Sequence, residues 1–242
     1  MIPLVATAAL EHRVLDKLPR FKRRLEWFIK YRPQLIKNIP SLVDESAHDH
    51  YQLSILDQER LARVLKRVFD PDEFLSDFGI RALSRHHLEQ PFEFRIGGEL
   101  NTVRYEPAES SSSLFGGNSN WRGPVWFPLN YLVIESLRKY ARHYGEKFKI
   151  EFPTGSGVQL TLDQAGDELC RRLVRIFLSD PDDRRPVFGS QDYFQSNPHW
   201  RDYILFYEYF HGEDGSGLGA SHQTGWTALV AKLIQEAAND HS

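Results

Sequence analysis

The sequence has a single cysteine and almost no net charge, and both features exclude whole classes of protein. Cys170 lies in the helix-like run DELCRRLVRIF, where it is expected to pack as a small hydrophobic residue, and an internal disulfide framework is excluded. Thirty basic residues oppose 33 acidic ones, a formal net charge of -3 over 242 residues. Since a polyelectrolyte partner needs a strong opposite charge, we expect no nucleic acid partner.

Long hydrophobic runs and metal-binding spacings are also lacking. No apolar run approaches the about 20 residues that span a bilayer, so no membrane association is expected. The opening segment MIPLVATAAL has no basic region before its apolar stretch, which predicts a cytoplasmic protein without an export signal. The histidines of HDH (48–50) and RHH (85–87) have no third ligand at metal-site spacing, so we expect neither a metal nor another cofactor.

The residues that are present suit a folded domain with a surplus of rings. Hydrophobic residues make up 41% of the chain and aromatic residues 13%, with five tryptophans. Most such rings pack in cores, but flat aromatic faces also bind sugar rings, so this surplus mildly favours carbohydrate.

Apolar periodicity predicts a mainly helical chain. Between Leu10 and Phe28, apolar residues recur every three or four positions. This spacing predicts a helix over 10–30 that Pro19 kinks or divides. A second helix is expected after Asp57, a typical N-cap residue. The run FEFRIGGELNTVRYE (92–106) changes to short extended stretches around two glycines, which predicts a β-hairpin.

The second half of the chain predicts three more helices. One runs from Pro124 to Tyr144 and ends at Gly145, but Pro128 makes its first turn irregular and favours a start of the regular helix nearer Leu129. Thr161 with Gln164 forms a capping-box pattern that begins the next helix. The last spans 224–237, with its expected buried side formed by Trp226, Leu229, Val230, Leu233 and Ile234. Periodicity does not decide between helix and strand for the aromatic run after Asn197, and we expect one domain over 1–242.

Three junctions combine glycines with charged and aromatic residues: FLSDFGIRALS (74–84), NSNWRGPVW (118–126) and FYEYFHGEDGSGLGASHQTGW (206–226). Glycine lets a backbone approach a ligand, arginine holds polar groups with a rigid fork of donors, and tryptophan offers a flat apolar face. Together these side chains suit a polyol. Each also has a plainer interpretation: Arg122 could pair with a carboxylate, Trp121 could fill a core gap, and Asp77 is favoured as a turn residue.

Glu208, in FYEYF, is more informative. A carboxylate among four aromatic residues is costly to bury without hydrogen bonds, so it is either exposed or held for a purpose.

The chain contains four characteristic blocks: FLSDFGIRALS, GGNSNWRGPVWFPLNYLVIESL, PTGSG and FYEYFHGEDGSGLGASHQTGWTALV. Together they resemble the C-terminal part of the catalytic domain in the bacterial branch of glycoside hydrolase family 63. The resemblance implies an (α/α)6 barrel, here with a small β-hairpin insertion, and an inverting α-glucosidase-like reaction that uses two carboxylates. It implies that Glu208 is the general base. It places Trp121, Arg122 and Arg81 at the substrate pocket, and Tyr209 and Trp226 in the same blocks as substrate-binding residues.

The sequence also departs from this family. The family's general acid, an aspartate, lies further upstream of the base than the residues that precede Glu208, and the helices expected are too few for a complete barrel. The resemblance thus implies the C-terminal portion of such a domain, paired with its N-terminal half or with a second copy, and acting on an oligosaccharide. Two alternatives stay open: a non-catalytic carbohydrate-binding remnant, or a structural helical domain whose rings are all core.

Overall fold

A computed structural model of the protein describes residues 2–36, 39, 50–112 and 119–239. Several residues discussed in the sequence analysis lie outside these ranges, namely Gly116, Gly117, Asn118 and His48. Ten α-helices are found in the described parts of the chain: α1 (Ile2–Val5), α2 (His12–Asp16), α3 (Pro19–Tyr31), α4 (Pro33–Ile36), α5 (Gln58–Val68), α6 (Phe127–Tyr144), α7 (Leu162–Arg175), α8 (Asp192–Ser196), α9 (Thr224–Thr227) and α10 (Leu229–Asn239).

The strands of the described residues form antiparallel pairs rather than one large sheet. The pairs are β1 (Thr7–Glu11) with β2 (His50–Ser54), β3 (Leu75–Ser76) with β4 (Gly79–Ile80), β5 (Phe92–Ile96) with β6 (Glu99–Val103), β7 (Lys149–Glu151) with β8 (Gln159–Thr161), and β9 (Tyr209–Phe210) with β10 (Gly217–Leu218). In the predicted hairpin, Ile96 faces Glu99 across Gly97 and Gly98, whose φ angles of 59° and 90° suit glycine. The structure is thus mostly helical with small hairpins, an architecture compatible with a helical toroid.

Helix α6 lies at the centre of the hydrophobic core and packs against α7 and α10. Its inner side is fully buried and includes Val133, Ile134, Leu137 and Tyr140. The facing side of α7 buries Ala165, Leu169, Cys170 and Leu173, so the prediction that Cys170 packs as a core residue is confirmed.

Local capping chemistry sets several helix ends as predicted. The Asp57 carboxylate accepts a hydrogen bond from the Arg60 amide and begins α5. Thr161 and Gln164 form both hydrogen bonds of the capping box that begins α7. Gly145, with a φ of 63°, ends α6.

The predicted helix over 10–30 is wrong in its first part. Leu10 belongs to strand β1, because residues 7–11 find hydrogen-bond partners in residues 50–54, which local periodicity does not reveal. Pro19 divides the rest as predicted, since it is the first residue of α3. Helix α3 contains no buried residue, and Phe21, Trp27 and Tyr31 are about half exposed. The expected homodimer or N-terminal half remains a prediction.

Two other helices differ from expectation at their starts or interiors. Helix α6 begins at Phe127 rather than Pro124, because Val125 pairs as extended backbone, and Pro128 occupies the first turn. The predicted last helix is interrupted at Ala228 and forms α9 and α10. Leu233 and Val230 are buried, but Ile234 is 50% exposed, so its predicted burial is wrong.

The undecided segment after Asn197 contains the strands β9 and β10, which form a hairpin around residues 211–216. Within the described residues, no helix is both long and apolar enough to cross a bilayer.

Candidate active site

The three junctions singled out in the sequence meet at Val125. Its backbone forms antiparallel bridges with Arg81 on one side and with Phe210 on the other. The Val125 amide donates to the Phe210 carbonyl at 2.8 Å, and the Phe210 amide donates back at 3.0 Å. Residues 74–84, 119–126 and 206–226 therefore form one structural unit at the start of α6.

Three aromatic side chains of this unit contact a fourth, Trp126. The Trp121 and Trp126 rings are stacked, with centroids 3.7 Å apart and planes 7° from parallel. Tyr209 stacks on Trp126 at 4.7 Å, and Trp226 meets it edge to face at 5.8 Å. Trp126 and Tyr209 are fully buried, whereas Trp121 is 45% exposed. Trp121 thus has one covered face and remains accessible, the arrangement that a sugar-stacking platform needs.

The half-buried Glu208 carboxylate lies beside this stack and is held by two donors. Ser119 donates its hydroxyl to Oε1 at 2.6 Å, and the Ala220 amide donates to Oε2 at 3.4 Å. Trp226 donates its indole N–H to the Glu208 carbonyl at 3.0 Å, which fixes the backbone as well. Glu208 is therefore a fixed, hydrogen-bonded carboxylate, as a general base must be.

Gly219 permits the close approach of this turn to Glu208. Its φ is 67°, and a Cβ atom there would lie 2.8 Å from Glu208 Oε2 and 2.8 Å from a Tyr209 ring carbon. Any side chain at 219 would have to displace the carboxylate.

A second carboxylate, Glu109, lies next to Tyr209 on the other side of the same turn. The Tyr209 hydroxyl donates to Glu109 Oε2, and the Gly219 amide donates to Oε1 at 3.0 Å. Burial, the bond to Glu109 and the neighbouring negative charges raise the pKa of the Tyr209 phenol well above its usual range. Tyr209 therefore stays a hydrogen-bond donor at neutral pH.

Arg122 is buried, and its side chain is turned towards the loop at 106–112. It forms an ion pair with Glu106 at 2.7 Å and donates to the hydroxyls of Ser110 and Ser112. Asn120 holds the same loop by donating to the carbonyls of Glu106 and Ala108 at 2.7 and 2.6 Å. The alternative interpretation, pairing with a carboxylate, thus describes the contacts of Arg122.

Arg81 is likewise buried and tied to its surroundings. It donates to the Leu75 carbonyl at 2.5 Å and pairs with Glu213 at 3.0 Å. Tyr105 also donates to Glu213, at 2.6 Å, and burial together with this bond raises the pKa of its phenol. Glu213 is therefore firmly held although its turn contains glycines, and its charge is neutralised by Arg81.

Two other residues considered in the sequence, Asp77 and His87, lie in a turn and in a short helix. Asp77 lies in the turn between β3 and β4 with its side chain 77% exposed, as the turn interpretation predicted. His87 contacts the Gln90 carbonyl at 2.9 Å within a short 3₁₀ helix. In the parts of the chain described, no three acidic, histidine or cysteine residues are grouped as a metal site would require.

Comparison with known proteins identifies the family. The sequence profile of the mannosylglycerate hydrolase MGH1-like glycoside hydrolase domain matches residues 50–227. The chain belongs to this MGH1-like glycoside hydrolase family. The match includes all three junctions that meet at Val125 and the Glu208 site.

Curated relatives agree with the MGH1-like assignment and connect it to family 63 enzymes. A Saccharomyces cerevisiae protein of uncharacterized function is 44% identical over 239 residues, which are 98% of this chain and 22% of that protein. The mannosyl-oligosaccharide glucosidase of the same yeast is 26% identical over 176 residues, which are 72% of this chain and 15% of the enzyme. A probable mannosyl-oligosaccharide glucosidase of Schizosaccharomyces pombe is 26% identical over 180 residues, 74% of this chain and 16% of that protein.

The MGH1-like chain therefore spans 22% or less of the length of these three curated relatives. The predicted resemblance to family 63 glycoside hydrolases is confirmed by these matches.

Sequence reasoning missed three residues of the candidate site. Trp126 was not distinguished from the other tryptophans, although it is the ring that Trp121, Tyr209 and Trp226 all contact. Ser119 and Glu109 lie in a serine-rich loop that gives no periodic signal, and their partners are 89 and 100 residues away.

Proposed function

We propose that this domain contributes the general base and part of the sugar-binding surface of an inverting glycoside hydrolase that cleaves an α-linked glucoside. The observation that carries the proposal is the fixed Glu208 carboxylate in the same aromatic unit as the accessible face of Trp121. The glucosidase names of two relatives support the choice of an α-linked, gluco-configured oligosaccharide.

In the proposed reaction, Glu208 accepts a proton from a water molecule as the water oxygen bonds to the anomeric carbon. The glycosidic C–O bond breaks at the same time, and a general acid protonates the leaving oxygen. We place that acid outside these 242 residues, in the remainder of the catalytic domain. The hydroxyl of Ser119 and the amide of Ala220 would hold the Glu208 carboxylate and aim it at the water.

The competing hypothesis is a carbohydrate-binding remnant that keeps Trp121 but does not turn over. The half-exposed Trp121 ring is compatible with it, because stacking alone binds a sugar.

One experiment separates the two functions. The full-length protein, meaning this chain together with the part of the catalytic domain that would carry the general acid, is mixed with α-linked gluco-oligosaccharides. The anomer released first is followed by proton NMR. We expect β-glucose to appear before mutarotation, since inversion converts an α-linkage to a β-product. Release of the α-anomer first would contradict the inverting mechanism, and binding without hydrolysis would favour the remnant.

A further inference from the structure

The Glu109 carboxylate is exposed, yet it is held as firmly as a buried one. Arg122 and Asn120 fix its loop through Glu106, Ala108, Ser110 and Ser112. Both carboxylate oxygens then accept a hydrogen bond, one from the Gly219 amide and one from the Tyr209 hydroxyl. A solvated surface glutamate would have neither this fixed loop nor two donors.

Glu109 and Glu208 accept hydrogen bonds from two successive backbone amides of one turn. The Gly219 amide donates to Glu109 at 3.0 Å, and the next amide, that of Ala220, donates to Glu208 at 3.4 Å. Because the two planar peptide units are joined at the Gly219 Cα, fixing the first amide restricts the orientation of the second to rotation about the two bonds of that atom. Glu109 thereby restricts where the donor to Glu208 can point.

The hydrogen bond from the Tyr209 hydroxyl to Glu109 also restrains Glu208, through the backbone. Tyr209 directly follows Glu208 in the chain, and its ring is packed on Trp126. With its hydroxyl bound to Glu109, the phenol is fixed at both ends. The backbone of Glu208 therefore lies between a clamped Tyr209 and the Trp226 indole that donates to its carbonyl.

We propose that Glu109 is a positioning residue for Glu208, acting through the Gly219–Ala220 turn and the Tyr209 hydroxyl. The inference rests on the proposed function, since it assigns Glu109 to the general base of that reaction. Arg122 then contributes indirectly, because it holds the loop that carries Glu109. Glu109 is not proposed as the general acid, since both its oxygens already act as acceptors.

The test compares Glu109→Ala, Glu109→Gln and wild type in the full-length protein by steady-state hydrolysis of an α-glucoside. A misplacement of about 1 Å at a reacting group can cost about a hundredfold, so Glu109→Ala should lower kcat between about tenfold and a hundredfold. The KM should change by less than about threefold, because positioning of a base affects only the transition state. Glu109→Gln should retain more activity than Glu109→Ala, since its amide oxygen can still accept from Gly219.

A matched control is Glu151, whose carboxylate accepts from the Gly157 amide at 2.6 Å, away from this site. Glu151→Ala should leave kcat unchanged. A raised KM with unchanged kcat in Glu109→Ala would mean that Glu109 binds sugar, and a lower Tm with unchanged kcat would mean a merely structural role. Either result overturns the proposal.

The Glu208→Gln background gives a second, independent test. If Glu109 acts through Glu208, adding Glu109→Ala to Glu208→Gln should lower the residual kcat by less than about twofold. An equal loss in both backgrounds would contradict the proposal. Failure of the proposed function is distinguishable, because then wild type would not hydrolyse the α-glucoside or Glu208→Gln would be as active as wild type.

Discussion

The Trp121 indole lies flat on that of Trp126, with ring centroids 3.7 Å apart, and its other face is accessible. Trp126 is fully buried and donates its indole N–H to the Asn120 carbonyl at 2.9 Å, so it forms a fixed base for Trp121. The core thus extends as a stack of rings to the surface beside Glu208. A sugar bound on Trp121 would lie on a rigid platform.

Replacing Trp121 with alanine should weaken substrate binding more than it affects the fold. Aromatic stacking contributes about 0.5–1.5 kcal/mol, so KM should rise up to about tenfold. Trp200→Ala is the matched control, because Trp200 is 44% exposed and packs with Tyr193 and Phe194 instead. An equal KM for the two variants would remove Trp121 from the sugar-binding surface.

Gly219→Ala should lower activity well beyond its effect on stability. The φ of 67° costs a non-glycine residue about 1–2 kcal/mol, and the added Cβ would also press on Glu208 Oε2. Gly155→Ala is the control, since its φ is 87° but a Cβ there meets nothing within 4 Å. Thermal unfolding should show a loss of stability in both variants, larger in Gly219→Ala because its Cβ also meets Glu208 and the Tyr209 ring. Only Gly219→Ala should reduce kcat, and retention of full kcat would show that the approach of Gly219 to Glu208 is unimportant.

Capping residues and turn glycines could be predicted from the sequence because their effects are local. Asp57, the Thr161–Gln164 box and Gly145 all act within a few residues. The aromatic and glycine composition likewise identified Trp121, Tyr209 and Trp226, which the structure brings together around Trp126, and Glu208 beside them.

Partners distant in sequence could not be predicted. Strand β1 exists because residues 50–54 pair with it, and the composition of 7–11 fits a helix equally well. The side chain of Arg122 was expected at the substrate pocket, and its partners Glu106, Ser110 and Ser112 could not be predicted from the sequence. The role of a charged side chain depends on which opposite charge the fold brings to it, and a single sequence does not contain that information.

The ion pair between the buried Arg122 and the partly buried Glu106 should be strongly coupled. Removal of one partner of a buried pair costs about 3–5 kcal/mol, so Arg122→Met should greatly lower the free energy of unfolding. A double-mutant cycle with Glu106→Gln, followed by denaturant unfolding, should give a coupling above about 1 kcal/mol.

The exposed pair Arg184–Asp192, at 3.1 Å, provides the comparison, and exposed pairs give about 0–1 kcal/mol. Equal coupling in the two cycles would mean that Arg122 does not hold the 106–112 loop.

The most direct test of the account is the activity of Glu208→Gln in the full-length protein. The amide oxygen of the introduced glutamine can still accept from the Ala220 amide, and its NH2 group can donate to the Ser119 hydroxyl, so the fold and sugar binding should be unchanged while the base is lost. Because general-base catalysis contributes about 10²–10⁴-fold, kcat for α-glucoside hydrolysis should fall by that factor, with the substrate Kd unaltered in calorimetry. A kcat within about twofold of wild type would contradict the assignment of Glu208 as the base.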